Sequence, residues 1–127
     1  IVEDLAIRDR VIMPGYLPDP APVYSALDCF LMPSLFEGLA IVCIEAQCAG
    51  CAIVCSEALP LEAHVTDAES LIPLSAGESA WADRAVEMVR MSTDRDVYAA
   101  LVRSADFDAD HCASIVRKHL LDRVSCD

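Results

Sequence analysis

Four short apolar runs alternate with longer stretches of helical periodicity, and this alternation restricts the fold more than any other feature of the chain. The runs are Val11-Ile12-Met13, Cys29 to Met32, Ala52 to Cys55, and Leu71 to Leu74. Strand-length runs that are apolar throughout suit strands buried on both faces, and helical segments between them favour parallel connections. The expected fold class is therefore α/β: a Rossmann-like three-layer parallel sheet of about four strands, with flanking helices and a helical C-terminal region. Pro14-Gly15 closes the first strand, and Pro33-Ser34 closes the second, which is expected over Asp28 to Met32. One helix is expected from Pro20 to Leu27, with Pro20 in a first turn where no needed donor is lost. Another is expected from Gly38 to Ala49, with Gly50 placed to terminate it.

The segment Glu57 to Ser70 reads as irregular or partly helical. From Glu78 onward the chain is helical. Trp81, Ala85, Met88 and Val89 mark one apolar stripe, and Val97, Ala100, Leu101 and Ser104 mark a second. Asp110 to Val124 is a last helix, with Ile115, Val116, Leu120 and Leu121 on a stripe. Arg117, Lys118 and Arg123 lie towards its C-terminal end, where cations complement the helix dipole.

Length and charge bound the function classes. With 127 residues there is room for one domain at most, and 55% hydrophobic residues against 24% charged ones indicate an ordered core. The formal net charge of −12, with a single lysine and dispersed arginines, excludes a main function in binding nucleic acid or an anionic membrane surface. A phosphate can still be held locally by the N–H groups of a helix start. No apolar run is long enough to span a bilayer, since Glu45 and Gln47 interrupt the best candidate, and no secretory leader is evident. The expected setting is cytoplasmic.

Seven cysteines include the run Cys48, Cys51 and Cys55, a C-x2-C-x3-C spacing that could supply three ligands of a metal or iron–sulfur site. The simpler reading places Cys48 at a helix end, Cys51 in a turn and Cys55 on a buried strand, as small apolar residues. The odd total, with Cys29, Cys43, Cys112 and Cys126 scattered, argues against a disulfide framework.

In open α/β sheets, ligands bind beyond the carboxyl ends of the strands. That rule selects the loop Pro33 to Gly38. Glu37 and Gly38 lie at the expected helix start, where Gly38 lets a ligand approach the backbone. The amides of Gly38, Leu39 and Ala40 would then be orphan donors able to receive a diphosphate. Glu45 lies seven residues beyond Gly38, about 10 Å along a helix at 1.5 Å per residue. That separation suits a nucleotide sugar, with sugar hydroxyls at Glu37 and ribose hydroxyls at Glu45, because carboxylates accept paired hydroxyl bonds. The bland alternative leaves Glu37 on the helix dipole and Glu45 on the surface.

The string Pro33-Ser34-Leu35-Phe36-Glu37-Gly38, followed by Glu45-Ala46-Gln47, Ala49-Gly50 and Ser56, resembles the E-x7-E region of family 4 glycosyltransferases of the GT-B type. Among these it looks most like enzymes of capsular and exopolysaccharide assembly. The similarity continues through Val11 to Gly15, Ala26-Leu27-Asp28, Leu59 to Glu62, Trp81-Ala82 and Ala105 to Asp108. It implies a retaining transfer of a sugar from a nucleotide diphosphate sugar to an acceptor hydroxyl. By that resemblance Glu37 is the catalytic-region residue at the donor sugar. Gly38, Leu39, Ala40, Ile41 and Val42 meet sugar and diphosphate, and Glu45 meets the ribose. No metal and no resident cofactor is implied, the nucleotide sugar being a substrate. Ala52 stands where the family usually has proline, and Cys51 where it has a larger aliphatic residue.

Glu62 resembles a family glutamate near the nucleoside end, although a loop role fits equally. Ser34 and Ser56 read first as strand-end caps. His64, His111 and His119 show no partner spacing and are expected on surfaces or helices. The resemblance also implies that the whole chain, residues 1–127, is a partial donor-binding domain, the Arg and Lys partners of the diphosphate belonging to an earlier segment of the same enzyme. A complete domain of this kind resembles a six-stranded sheet of order 3-2-1-4-5-6. The present residues would supply strands three to six and lack the two between three and four, so either the first strand moves beside Cys29 to Met32 or a homodimer covers the exposed edge. On that expectation the chain alone is inactive, and the alternative is a free-standing non-catalytic nucleotide-binding or self-associating module. The resemblance also allows the full-length enzyme to attach at the periphery of the inner membrane.

Overall fold

A parallel sheet forms around Ala52-Ile53-Val54-Cys55, the one run in which every residue is buried. A computed structural model describes residues 1–91 and 94–124, and their side chains except those of residues 122–124. β1 (Cys29–Met32) pairs with β2 (Ala52–Cys55), Cys29 opposite Ala52 and Met32 opposite Cys55. β3 (Glu69–Leu71) pairs on the other side, Glu69 opposite Ile53. The order β1-β2-β3 leaves β2 in the centre.

The two faces of β2 select different partners because its side chains alternate. Ile53 and Cys55 pack with Cys43, Ile44 and Ala46 of α2 (Ile41–Cys48), and with Tyr24 of α1 (Ala21–Ala26) and Val102 of α4 (Arg95–Val102). Ala52 and Val54 pack with Trp81 and Met88 of α3 (Gly77–Arg90). The layers are therefore helix, sheet and helix, as the sequence leads one to expect. α5 (Ala109–Val124) follows a turn at Arg103–Phe107, starts with Asp108 Oδ1 accepting the His111 N–H at 2.9 Å, and is exposed along its described length apart from the half-buried Cys112.

Gly50 ends α2 as expected. Its φ is +65°, its N–H donates to the Gln47 carbonyl at 2.9 Å, and the Cys51 N–H donates to the Ala46 carbonyl at 3.0 Å. This pair of bonds closes the helix in a Schellman motif. The turn then packs on α4 so closely that a Cβ at Gly50 would lie 2.6 Å from Arg95 Cγ.

Several expectations are corrected. Val11-Ile12-Met13 is not a strand. Val11 has extended dihedrals, but Ile12 and Met13 are 88% and 77% exposed and no ladder includes them. An extended segment becomes a strand only when a neighbour satisfies its backbone groups. The sheet thus has three strands among the described residues, with β1 at an edge. β3 begins at Glu69, and Leu74 lies instead in a single 3-10 turn. α2 begins three residues later than Gly38, because Ala40 has left-handed dihedrals (φ 54°, ψ 52°). In α4 the residues turned inward are Tyr98, Ala99 and Val102, whereas Val97, Ala100, Leu101 and Ser104 are exposed. Packing against α2 sets that phase, which periodicity alone misplaced. Cys126 and the side chain of Arg123 lie outside the described residues.

Candidate functional site

The carboxyl end of β1 leads through Pro33 to Ala40 into α2, and this connection holds the sequence-selected residues. The loop is fastened near its root. Ser56, 2% exposed and just past β2, donates its N–H to the Met32 carbonyl at 3.1 Å and its hydroxyl to the Ser34 carbonyl at 2.5 Å. Ser34 and Ser56 therefore tie the two strand ends together. Beyond this tie the loop is open, with Leu35 and Phe36 89% and 85% exposed.

Glu37 is half-buried in the loop, four residues before the start of α2. Gly38 and Leu39 are exposed, and nothing lies within 4 Å of a Cβ built on Gly38. Open space at that position admits a ligand to the backbone. Ala40 is buried and sets the helix start, so the N–H groups that lack intrahelical acceptors begin at Ile41 and Val42 rather than at Gly38. The Cys43 N–H already donates to the Ala40 carbonyl at 2.9 Å. Glu45 consequently lies about 6 Å along the axis from the first helical residue, closer than the sequence spacing to Gly38 implies.

Glu45 is exposed on the face of α2 that meets α1, and its Oε2 accepts the Tyr24 hydroxyl at 3.0 Å. Tyr24 is buried, with its ring edge-on to Phe30 at 6.0 Å. Burial, then the hydrogen bond and charge of Glu45, push the Tyr24 phenol up to about 12. The pair borders a groove of about 380 Å³ lined by Asp19, Pro20, Tyr24, Ser25, Glu45 and Cys48 among others. The lining is largely apolar and its two charged groups, Asp19 and Glu45, are carboxylates, which accept hydroxyl groups rather than anions.

Two polar features escaped the sequence. Gln47 is fully buried and links α2 to the β2–β3 connection. Its Nε2 donates to the carbonyls of Ala63 (2.7 Å) and Cys43 (3.3 Å). Its Oε1 accepts from Val65 N–H (3.1 Å), Thr66 N–H (2.8 Å) and the Thr66 hydroxyl (3.1 Å). The only signal for it was an amide side chain within a mostly apolar helix. His64, expected on the surface, instead pairs through Nδ1 with Glu69 Oε1 at 2.5 Å. Glu69 Oε2 is buried without a hydrogen-bond partner among the described residues. Burial raises the Glu69 carboxyl above its ordinary value, and His64 offsets part of that rise.

The remaining candidates are peripheral. Glu62 is exposed in a single 3-10 turn, His111 pairs with Asp106 at 3.2 Å on the surface, and His119 is exposed on α5. Cys48, Cys51 and Cys55 occupy a helix end, a turn and a strand. The Cys51 thiol faces the Ala52 carbonyl at 3.4 Å and the Cys55 thiol the Ser70 carbonyl at 3.9 Å, so the run does not converge on one point.

A family model described as glycosyl transferases group 1 matches residues 2–91, most of the chain and all of the sheet with its loops. The chain belongs to the group 1 glycosyl transferases. No curated protein matches it. In this group 1 chain the matched span includes Val11-Ile12-Met13, Glu37, Glu45 and Gln47, and ends after α3, so α4 and α5 lie beyond it. No helix among the described residues is long and apolar enough to cross a membrane.

Proposed function

We propose that this chain is the donor-binding part of a retaining GT-B glycosyltransferase. It serves transfer of a sugar from a nucleotide diphosphate sugar to an acceptor hydroxyl, in the assembly of a polysaccharide. Glu37 meets the donor sugar at the reacting end. The backbone from Gly38 to Val42 follows the sugar and the diphosphate, with the Ile41 and Val42 amides at the open helix start favouring the negative charge. Glu45 accepts the ribose hydroxyls.

One observation carries this reading: Glu45 stands exposed beside a groove whose charged lining groups are both carboxylates, about one helical turn from an uncovered helix start. An anion-favouring end and a hydroxyl-favouring groove so close together match a diphosphate joined to a ribose. A nucleotide that reached only the helix start would gain nothing from Glu45. Calorimetric titration with UDP and GDP tests the assignment. Binding is expected at millimolar concentrations and is expected to weaken at least tenfold in Glu45→Ala, about 1.4 kcal/mol. Equal affinity in the variant, with helical content unchanged by circular dichroism, would refute the role of Glu45.

A further inference from the structure

Tyr24 is buried yet lines the groove, and its hydroxyl donates to the carboxylate of the exposed Glu45. Resting on the reading of Glu45 given above, we propose that Tyr24 is the positioning residue that holds Glu45 for ribose. It thereby makes the site discriminate ribose from sugars lacking its hydroxyls. An exposed glutamate on a helix is free to sample many rotamers, and ordering it on ligand binding costs side-chain entropy. Tyr24 removes much of that cost in advance. Its ring is fixed by the edge-on contact with Phe30 and by the core around Leu27 and Ile44, so its hydroxyl is a fixed donor.

The division of the carboxylate's oxygens supports the assignment. Oε2 takes the Tyr24 hydroxyl, while Oε1 has no donor among the described residues. A bond between a hydroxyl and an ionised carboxylate is among the stronger ones and sets direction as well as distance. With Oε2 engaged, Oε1 and the second lone pair of Oε2 are the positions presented to a ligand. Asp19 is likewise half-engaged, its Oδ1 accepting the Ala21 N–H at 3.0 Å as α1 begins. The groove thus presents acceptors whose orientations are fixed by α1, from the core in one case and from the backbone in the other. Hydroxyl donors complement it, and a deoxy sugar would leave those acceptors unmatched.

The test compares UDP and GDP with their 2′,3′-dideoxy counterparts, titrated calorimetrically into the unsubstituted chain, Tyr24→Phe and Glu45→Ala. Phenylalanine keeps the ring packing and removes only the donor, and thermal melting verifies that the fold survives. The unsubstituted chain is expected to prefer the ribose forms at least tenfold. In Tyr24→Phe that ratio is expected to fall below about threefold while affinity for the dideoxy forms is unchanged, because only the hydroxyl-dependent part is lost. A uniform loss for both forms, or no loss, in Tyr24→Phe overturns the positioning role even where Glu45→Ala abolishes the preference. An unaltered preference in Glu45→Ala overturns the ribose reading and this proposal together, as does the absence of binding to the unsubstituted chain at millimolar nucleotide.

Discussion

The two faces of the sheet are sealed by different means. On one, α3 covers Ala52 and Val54 with Trp81 and Met88, and the contact is apolar except for the Trp81 indole N–H, which reaches the Pro73 carbonyl at 3.4 Å. On the other, α2 covers Ile53 and Cys55, and Gln47, Ser56 and Glu69 are buried or nearly so beside them. Apolar packing tolerates small shifts of a helix, because it is nearly non-directional. Hydrogen bonds to backbone groups fix a helix against particular residues of a loop. The polar face is also the one that bears Glu37 and Glu45, so the directional contacts lie on the same side of the sheet as the candidate site.

Trp81→Ala should produce the largest loss of stability, about 4 kcal/mol for removing a large buried aromatic. Chemical denaturation measures it, and the amides of the 63–66 segment should keep their relative protection in hydrogen exchange. Gln47→Leu should cost about 3 kcal/mol, since it orphans groups at Ala63, Val65 and Thr66 that are partly able to find water. Here exchange at Val65 and Thr66 should accelerate selectively. If the two variants loosen the same amides, the contrast between a directional and a non-directional face fails.

The smallest effect concerns pH. Glu69 has a raised carboxyl in the folded chain, so the folded state holds its proton more tightly than the unfolded one. Stability from this group is complete below the ordinary value of 4.5 and is lost as pH rises through the raised value. Glu69→Gln should therefore melt a few degrees higher than the unsubstituted chain near neutrality. The gap should close as pH falls below about 4.5. A gap that widens on acidification would show that the His64 partnership outweighs burial.

Legibility in the sequence followed how local each cause is. β1 and β2 were readable almost to the residue, because a continuous apolar run and its flanking residues, Asp28 and Pro33 or Gly50, specify both strand and boundary. The end of α2 was readable for the same reason. Its start was not, because alanine carries no sign of left-handed backbone, and Ala40 adopts it only within its folded surroundings. Val11 to Met13 has the composition of a strand, but pairing is a property of two segments. At the site, Glu37, Gly38 and Glu45 were visible as a spaced motif. Tyr24 was not, since it lies 21 residues from Glu45 and meets it only after α1 packs on α2. The His64–Glu69 pair and the bonds of Gln47 are hidden in the same way. Their partners are brought together by a loop whose path no periodicity encodes.

Ala40 joins two demands that rarely meet. Its backbone favours glycine, asparagine or aspartate, while its buried setting rejects polar side chains that lack partners. Branched residues are excluded by the dihedral, and larger ones by the interior. Alanine and glycine are therefore the residues that meet both demands at position 40 with least cost. Leu35 and Phe36, a few residues before it, are exposed and face neither demand. Variation can therefore reshape what the loop offers to solvent, yet the point at which α2 begins stays put.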